Sequence, residues 1–132
     1  MWEFNERRIA PRHATRVRCR LLFPSTETAE GVRRPAAAPL VGYTRDISAS
    51  GLGVVVSSIR GTHVHLTDLD SVVLVELDLP SGQIEVRTSP ARIERLAGGG
   101  GGDDTGYLVG LRITKINESL LPRFEQYLYA LG

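Results

Sequence analysis

The chain has 132 residues, 42% of them hydrophobic, a formal net charge of +1 and one cysteine. That length supports one core without metals, and a lone cysteine excludes an intrachain disulfide framework. No apolar run is long enough for a membrane-spanning helix, and the near-zero net charge argues against a general nucleic-acid binder.

The opening Met1-Trp2-Glu3-Phe4-Asn5-Glu6 lacks the apolar core of a secretory signal, so a cytoplasmic protein without membrane insertion is expected. Arg7, Arg8, Arg12, Arg16, Arg18 and Arg20 crowd the start of the chain, and Lys115 is the only lysine among the sixteen basic residues. Arginine offers a planar fork that pairs with guanine edges and phosphates, which lysine cannot copy. Residues 1–14 show neither a strand nor a helix period and read as a flexible arm; residues 15–132 read as one domain.

From Thr15 the pattern alternates, with Val17, Cys19 and Leu21 on one face and Arg16, Arg18 and Arg20 on the other. That is a half-buried strand ending near Phe23. Pro24 to Pro39, rich in proline and alanine, reads as loop. A second strand, about 40–45, and a third, about 51–58, flank a polar turn, and residues 60–70 read as polar connection. Val73, Val75, Leu77 and Leu79 alternate with polar neighbours in a fourth strand over 72–79. After the turn Pro80-Ser81-Gly82, a fifth strand runs to about Leu96, and Pro90 marks a bulge or an edge within it. Gly98 to Gly102 form a hairpin loop; no helix follows to supply the amides of a phosphate cradle.

Tyr107 to Ile113 is the sixth strand, with Gly110 at a point of close backbone approach. Asn117 is placed to cap a helix carrying Leu120, Leu121, Phe124, Leu128 and Leu131 on one stripe, with an Ile116–Leu121 staple and Pro122 in the first turn. Six strands without helical crossovers, then one helix, predict a mainly β fold: a small six-stranded antiparallel barrel with a C-terminal helix.

The turn Thr44-Arg45-Asp46-Ile47-Ser48-Ala49-Ser50-Gly51-Leu52-Gly53 carries a carboxylate, hydroxyls and bare backbone at the end of a sheet. It suits a planar ligand with N–H donors, and it equally suits an ordinary turn in which Asp46 and Ser48 only bond the local backbone. Upstream, Arg8 and Arg12 stand in an Arg-x-x-x-Arg spacing, with Pro11 directly before the second arginine. An arginine-rich arm, a strand, and then Asp-x-Ser-x-x-Gly between two more strands resembles the PilZ domain family over nearly the whole chain, from about Glu6 to Leu131. The resemblance implies a small β-barrel with a C-terminal helix that binds the bacterial second messenger cyclic di-GMP. It implies ligand contacts at Arg8 and Arg12, with Arg7 beside them, and at Asp46, Ser48 and Gly51. Guanine N7 and O6 accept from an arginine fork, and the N1–H and N2–H₂ edge needs an acceptor such as the Asp46 carboxylate. Ile113 stands where members often carry phenylalanine, and the 24–39 and 98–102 segments are longer than the family leads one to expect.

Other candidates are weaker. His63 and His65 form a His-x-His pair with no third ligand nearby in sequence, so no metal is expected. Cys19 reads as a small core residue, and Tyr127 and Tyr129 as helix packing. Gly51-x-Gly53 precedes a β-branched run where a dinucleotide fingerprint needs a helix. No acid–base pair or nucleophile arrangement points to an enzyme, and no cofactor is implied. The expected function is a receptor that couples cyclic di-GMP binding to ordering of the arm and regulation of an effector protein, with no DNA or RNA partner. The alternative is a PilZ-like protein–protein adaptor without nucleotide, whose mark is loss of one motif; both motifs are present here.

Overall fold

The computed structural model describes residues 11–27, 31, 33–96 and 106–132. The chain enters through β1 (His13–Ala14), a short strand on the region expected to be arm, and continues into β2 (Arg18–Phe23). Cys19, Leu21 and Phe23 of β2 point inward while Arg18 and Arg20 face solvent, as the alternation predicts. β3 (Thr26–Glu27) and β4 (Arg33–Arg34) pair with each other inside the segment expected to be loop. β5 (Ala37–Ile47) and β6 (Gly51–Val56) flank the polar turn.

A five-residue helix, α1 (His63–Thr67), interrupts the expected connection and buries His65 and Leu66. β7 (Val73–Leu79) sends Val73, Val75 and Leu77 fully inward. β8 (Gly82–Leu96) and β9 (Gly106–Ile116) complete the wall, and α2 (Leu121–Leu131) ends the chain. No described helix is long and apolar enough to cross a membrane.

Antiparallel pairings run β5–β2–β7–β8–β9–β6 and return from β6 to β5, so six strands close into a barrel. Closure removes sheet edges. Leu21, Val54, Val75, Leu77 and Val86 fill the interior, each with essentially no exposed surface. Fully burying one such side chain is worth about 1.5–3 kcal/mol, so the inward positions carry most of the stability. Registers shift at Arg87/Thr88 and at Pro90/Arg92, the second where the proline removes a ladder donor.

Phe124 of α2 is buried in the same cluster, with Leu120, Tyr127 and Leu128 partly buried against it. Leu121 and Leu131 are exposed, so the helical stripe is narrower than its apolar residues imply. The Asn117 side chain accepts from the Ser119 N–H, and its carbonyl accepts from Leu120 and Leu121. It therefore closes the turn that leads into α2, whose cap position is Leu120 with no side-chain bond; Pro122 falls in the first turn.

Candidate functional site

The turn between β5 and β6 is held by Ser48. Its N–H donates to the Gly51 carbonyl at 2.9 Å, and its hydroxyl accepts from the N–H groups of Ser50 at 3.2 Å and Gly51 at 3.1 Å. Ser48 is 1% exposed. Its hydroxyl thus stabilises the loop from beneath, and the exposed hydroxyl at the surface of this turn is that of Ser50.

Asp46 lies beside a bulge in the β5–β6 ladder, where the register shifts between Thr44 and Asp46. Its partner across the ladder is Gly53, and a Cβ at that position would lie 2.9 Å from Asp46 Oδ1. Glycine there lets the carboxylate lie down over β6. β1 pairs His13 with Ile47 and Ala14 with Asp46, which brings the preceding Arg12 across the turn. Arg12 Nη1 donates to Asp46 Oδ1 at 2.6 Å. Two groups 34 residues apart in sequence, one from each motif, are therefore in direct contact.

Both line a cleft of about 700 Å³ on the outer wall of the barrel. Arg12, Asp46, Ser50 and Gly51 form one side; Ala91, Arg92, Gly110, Leu111 and Arg112 form the other, with Arg45 joining them. Gly110 pairs with both Gly53 and Arg92, so the floor between the two sides carries almost no side-chain bulk. A Cβ on Gly110 would lie 3.1 Å from Arg92 Cγ, and its absence lets the Arg92 stem rest on the sheet. Arg112 Nη2 donates to the Ser89 hydroxyl at 2.7 Å. Four arginines thus face one carboxylate in this cleft. Such a site attracts an anion with planar hydrogen-bonding edges. A smaller hollow of about 450 Å³ adjoins it at Arg45, where the Arg16 guanidinium sits 4.1 Å above the Tyr43 ring.

Sequence reasoning brought out Arg12, Asp46 and Gly51 of this cleft and missed Arg45, Arg92 and Arg112. Arg92 and Arg112 become neighbours of the turn only through the β8–β9 and β9–β6 registers, which no short motif reports. Gly110 was the one visible signal. Arg7, Arg8 and the glycine-rich stretch at 98–102 lie outside the described residues.

The remaining candidates sit elsewhere. His65 is buried, bonds the Pro35 carbonyl through Nε2 at 3.0 Å and meets the Phe23 ring edge-on, while His63 is exposed. No group of three or more metal-ligating side chains occurs among the described residues. Cys19 is 1% exposed, and burial, with the Asp78 charge adding to it, pushes its thiol up to about 12, so it packs as an inert core residue. Tyr127 packs on the barrel and bonds Thr15, but Tyr129 is 88% exposed and is not a packing residue.

A closed six-stranded barrel with an arginine-lined cleft beside an Asp-x-Ser-x-x-Gly turn defines a small β domain. The chain belongs to the PilZ domain family, whose model matches residues 6–130. The fold is similar to the PilZ domain of YcgR from Escherichia coli, solved with c-di-GMP: 14% identity, TM-score 0.65, over 95% of this chain and 91% of that one. It is also similar to the Bacillus subtilis inhibitor of motility MotI/DgrA, at 17% identity and TM-score 0.61, over 92% of this chain and 48% of that one. MrkH, a c-di-GMP-dependent transcription regulatory factor, shares 14% identity at TM-score 0.62, over 92% of this chain and 49% of that one. This chain therefore spans about half the length of the last two. No curated protein matches it in sequence.

Proposed function

We propose that this protein is a non-enzymatic, cytoplasmic cyclic di-GMP receptor that transmits ligand occupancy to an effector protein. The observation that carries the reading is the contact between Arg12 of the arm motif and Asp46 of the turn motif at the rim of one cationic cleft. Arg12 and Arg8, with Arg7 beside them, supply forks to guanine N7 and O6; each good bidentate pair discriminates between bases by about 1–3 kcal/mol. Asp46 accepts from the guanine N1–H and N2–H₂ edge. Gly51 admits the ligand to the backbone, and Ser48 keeps the turn in shape for both. The Arg12–Asp46 pair is exposed enough to be shared with an incoming ligand at little cost.

The proposed output is an order–disorder change: the part of the arm around Arg7 and Arg8 orders over the 46–51 turn when ligand binds, and the partner reads the new surface. Freezing a residue costs about 1–2 kcal/mol of backbone entropy, so only a few residues next to the arginines are expected to order. Calorimetric titration with cyclic di-GMP, against GMP and cyclic di-AMP, tests the reading. Saturable binding of cyclic di-GMP, with GMP and cyclic di-AMP far weaker, supports it; no binding of cyclic di-GMP overturns it in favour of a nucleotide-free adaptor.

A further inference from the structure

We infer that Arg45, Arg92 and Arg112 form a phosphodiester-binding wall on the barrel side of the cleft, separate from the guanine-reading set of arm and turn. The inference rests on the cyclic di-GMP reading and adds to it the residues that hold the ligand's anionic groups. The three side chains come from the β5 bulge, from β8 beyond its proline and from β9, and converge on one cleft. Among the described residues none of the three makes an ion pair, whereas the cleft's one carboxylate, Asp46, is paired with Arg12. Among the described residues the wall is therefore a surplus of positive charge without a counterion.

Two of the three are positioned. Ser89, 6% exposed, holds Arg112 by one nitrogen, which leaves the other N–H groups of that guanidinium for a second acceptor. Arg92 lies over Gly110, its Nε 3.6 Å from where a Cβ would be, so its plane is kept close to the sheet. Reading guanine on both edges takes an acceptor for N1–H and N2–H₂ as well as donors for N7 and O6, and the wall offers donors only. A phosphodiester asks for donors only, and a cyclic dinucleotide carries two of them. Contacts of this kind fix position and add affinity without reading the base.

That distinction supplies the test. The wild-type chain, Arg92→Gln, Arg112→Gln and the double variant are titrated with cyclic di-GMP and cyclic di-AMP, by calorimetry or, for weak binding, by NMR. Arg95→Gln, which removes the same charge from an exposed position outside the cleft, is the control. Each wall variant is expected to weaken both ligands by the same factor, about tenfold, so that the preference for guanine is kept. Arg95→Gln should leave both affinities within about twofold, as a screened surface charge would. Thermal melting checks Arg112→Gln, which loses the Ser89 bond; Arg92 is exposed, so its variant tests the wall even if the other fails to fold. Unchanged affinity in Arg92→Gln, with the wild type binding, overturns the wall and leaves the receptor reading intact. A collapsed guanine preference also overturns it, because these arginines would then read bases. No binding of cyclic di-GMP by the wild type overturns both.

Discussion

Replacing Asp46 separates recognition from scaffold. Its carboxylate accepts from Arg12 at 2.6 Å, with 60% of the Arg12 side chain and 21% of the Asp46 side chain exposed. A pair that open to water is worth about 0–1 kcal/mol to folding. The β5–β6 ladder at this point is a backbone pairing with Gly53 and does not need the carboxylate. Asp46→Ala should therefore lower Tm by no more than about 5 °C. In the complex, the same change removes a charged acceptor from guanine N1–H and N2–H₂. Hydrogen bonds to charged groups contribute about 1.5–3 kcal/mol, so Kd should rise about 10- to 150-fold. Asp46→Asn is the sharper variant: it keeps the shape but sets an amide donor against donors, and it should bind no better than the alanine. Calorimetry for Kd and a melting curve on the same samples decide the matter. An unchanged Kd would show that Asp46 is not the guanine acceptor; a loss of more than about 10 °C would show that the turn depends on it, against the exposure argument.

Cyclic di-GMP should bind the wild-type chain in the micromolar range or tighter, about −8 kcal/mol or better, and cyclic di-AMP far more weakly; equal titration curves would refute the guanine-edge geometry. Gly110→Val should push the Arg92 stem off the sheet and weaken cyclic di-GMP binding while circular dichroism still reports a folded barrel. Hydrogen exchange should show ligand-induced protection at residues 7–10 and over the covered turn at 44–53 and much less in α2, and residues 7–10 already protected without ligand would refute the ordering step. Asp68 is held below its ordinary value of 3.8 by the Asp70 N–H and then by the Arg34 guanidinium. A carboxylate with a depressed folded value stabilises above its unfolded value and loses that contribution as pH falls through the folded one. Arg34→Ala should therefore lower Tm at neutral pH and flatten the acid limb below about pH 4, read from melting curves across that range.

The barrel was legible because its signal is local. Strict alternation at Val73, Val75, Leu77 and Leu79 states which face is inward, and Pro90 announces an irregular ladder before any partner strand is known. What escaped was set by tertiary contacts. The α1 helix is too short to show a period; Leu66 and His65 are helical because burial against the barrel and the Pro35 carbonyl favour it. The β3–β4 pair is two residues a side, and Arg34 ties it to Asp68 and Ser71 across more than thirty residues. Similarly, the motif residues of the cleft could be found in sequence because two short segments carry them. Arg92 and Arg112 belong to the cleft by register alone. The role of Ser48 was the reverse case: its hydroxyl was visible in the motif, but only its burial under the turn shows that it bonds the backbone of Ser50 and Gly51.

Arg12 belongs to the cleft, and the residues just after it belong to the barrel. His13 and Ala14 pair with β5, and the Thr15 N–H donates to the Arg45 carbonyl. The buried Thr44 hydroxyl donates to the Thr15 carbonyl and accepts from the Val17 N–H, and the Thr15 hydroxyl meets Tyr127 of α2 at 2.8 Å. Displacing this segment would break several hydrogen bonds at about 0.5–1.5 kcal/mol each, and more where a buried group is left unpaired. The proposed ordering of residues before Pro11 would break none of these bonds and would cost about 1–2 kcal/mol per residue, which new arginine contacts to a ligand can offset. Pro11 is a natural boundary, since it has no N–H to bond and a fixed φ. On the cyclic di-GMP reading, the cheapest response therefore stops at Pro11, and the barrel stays as it is. That boundary lies beside His13, Leu128 and Tyr129 in a hollow of about 630 Å³ against α2. On the same reading, an effector that senses the arm would meet this hollow as the barrel half of its surface.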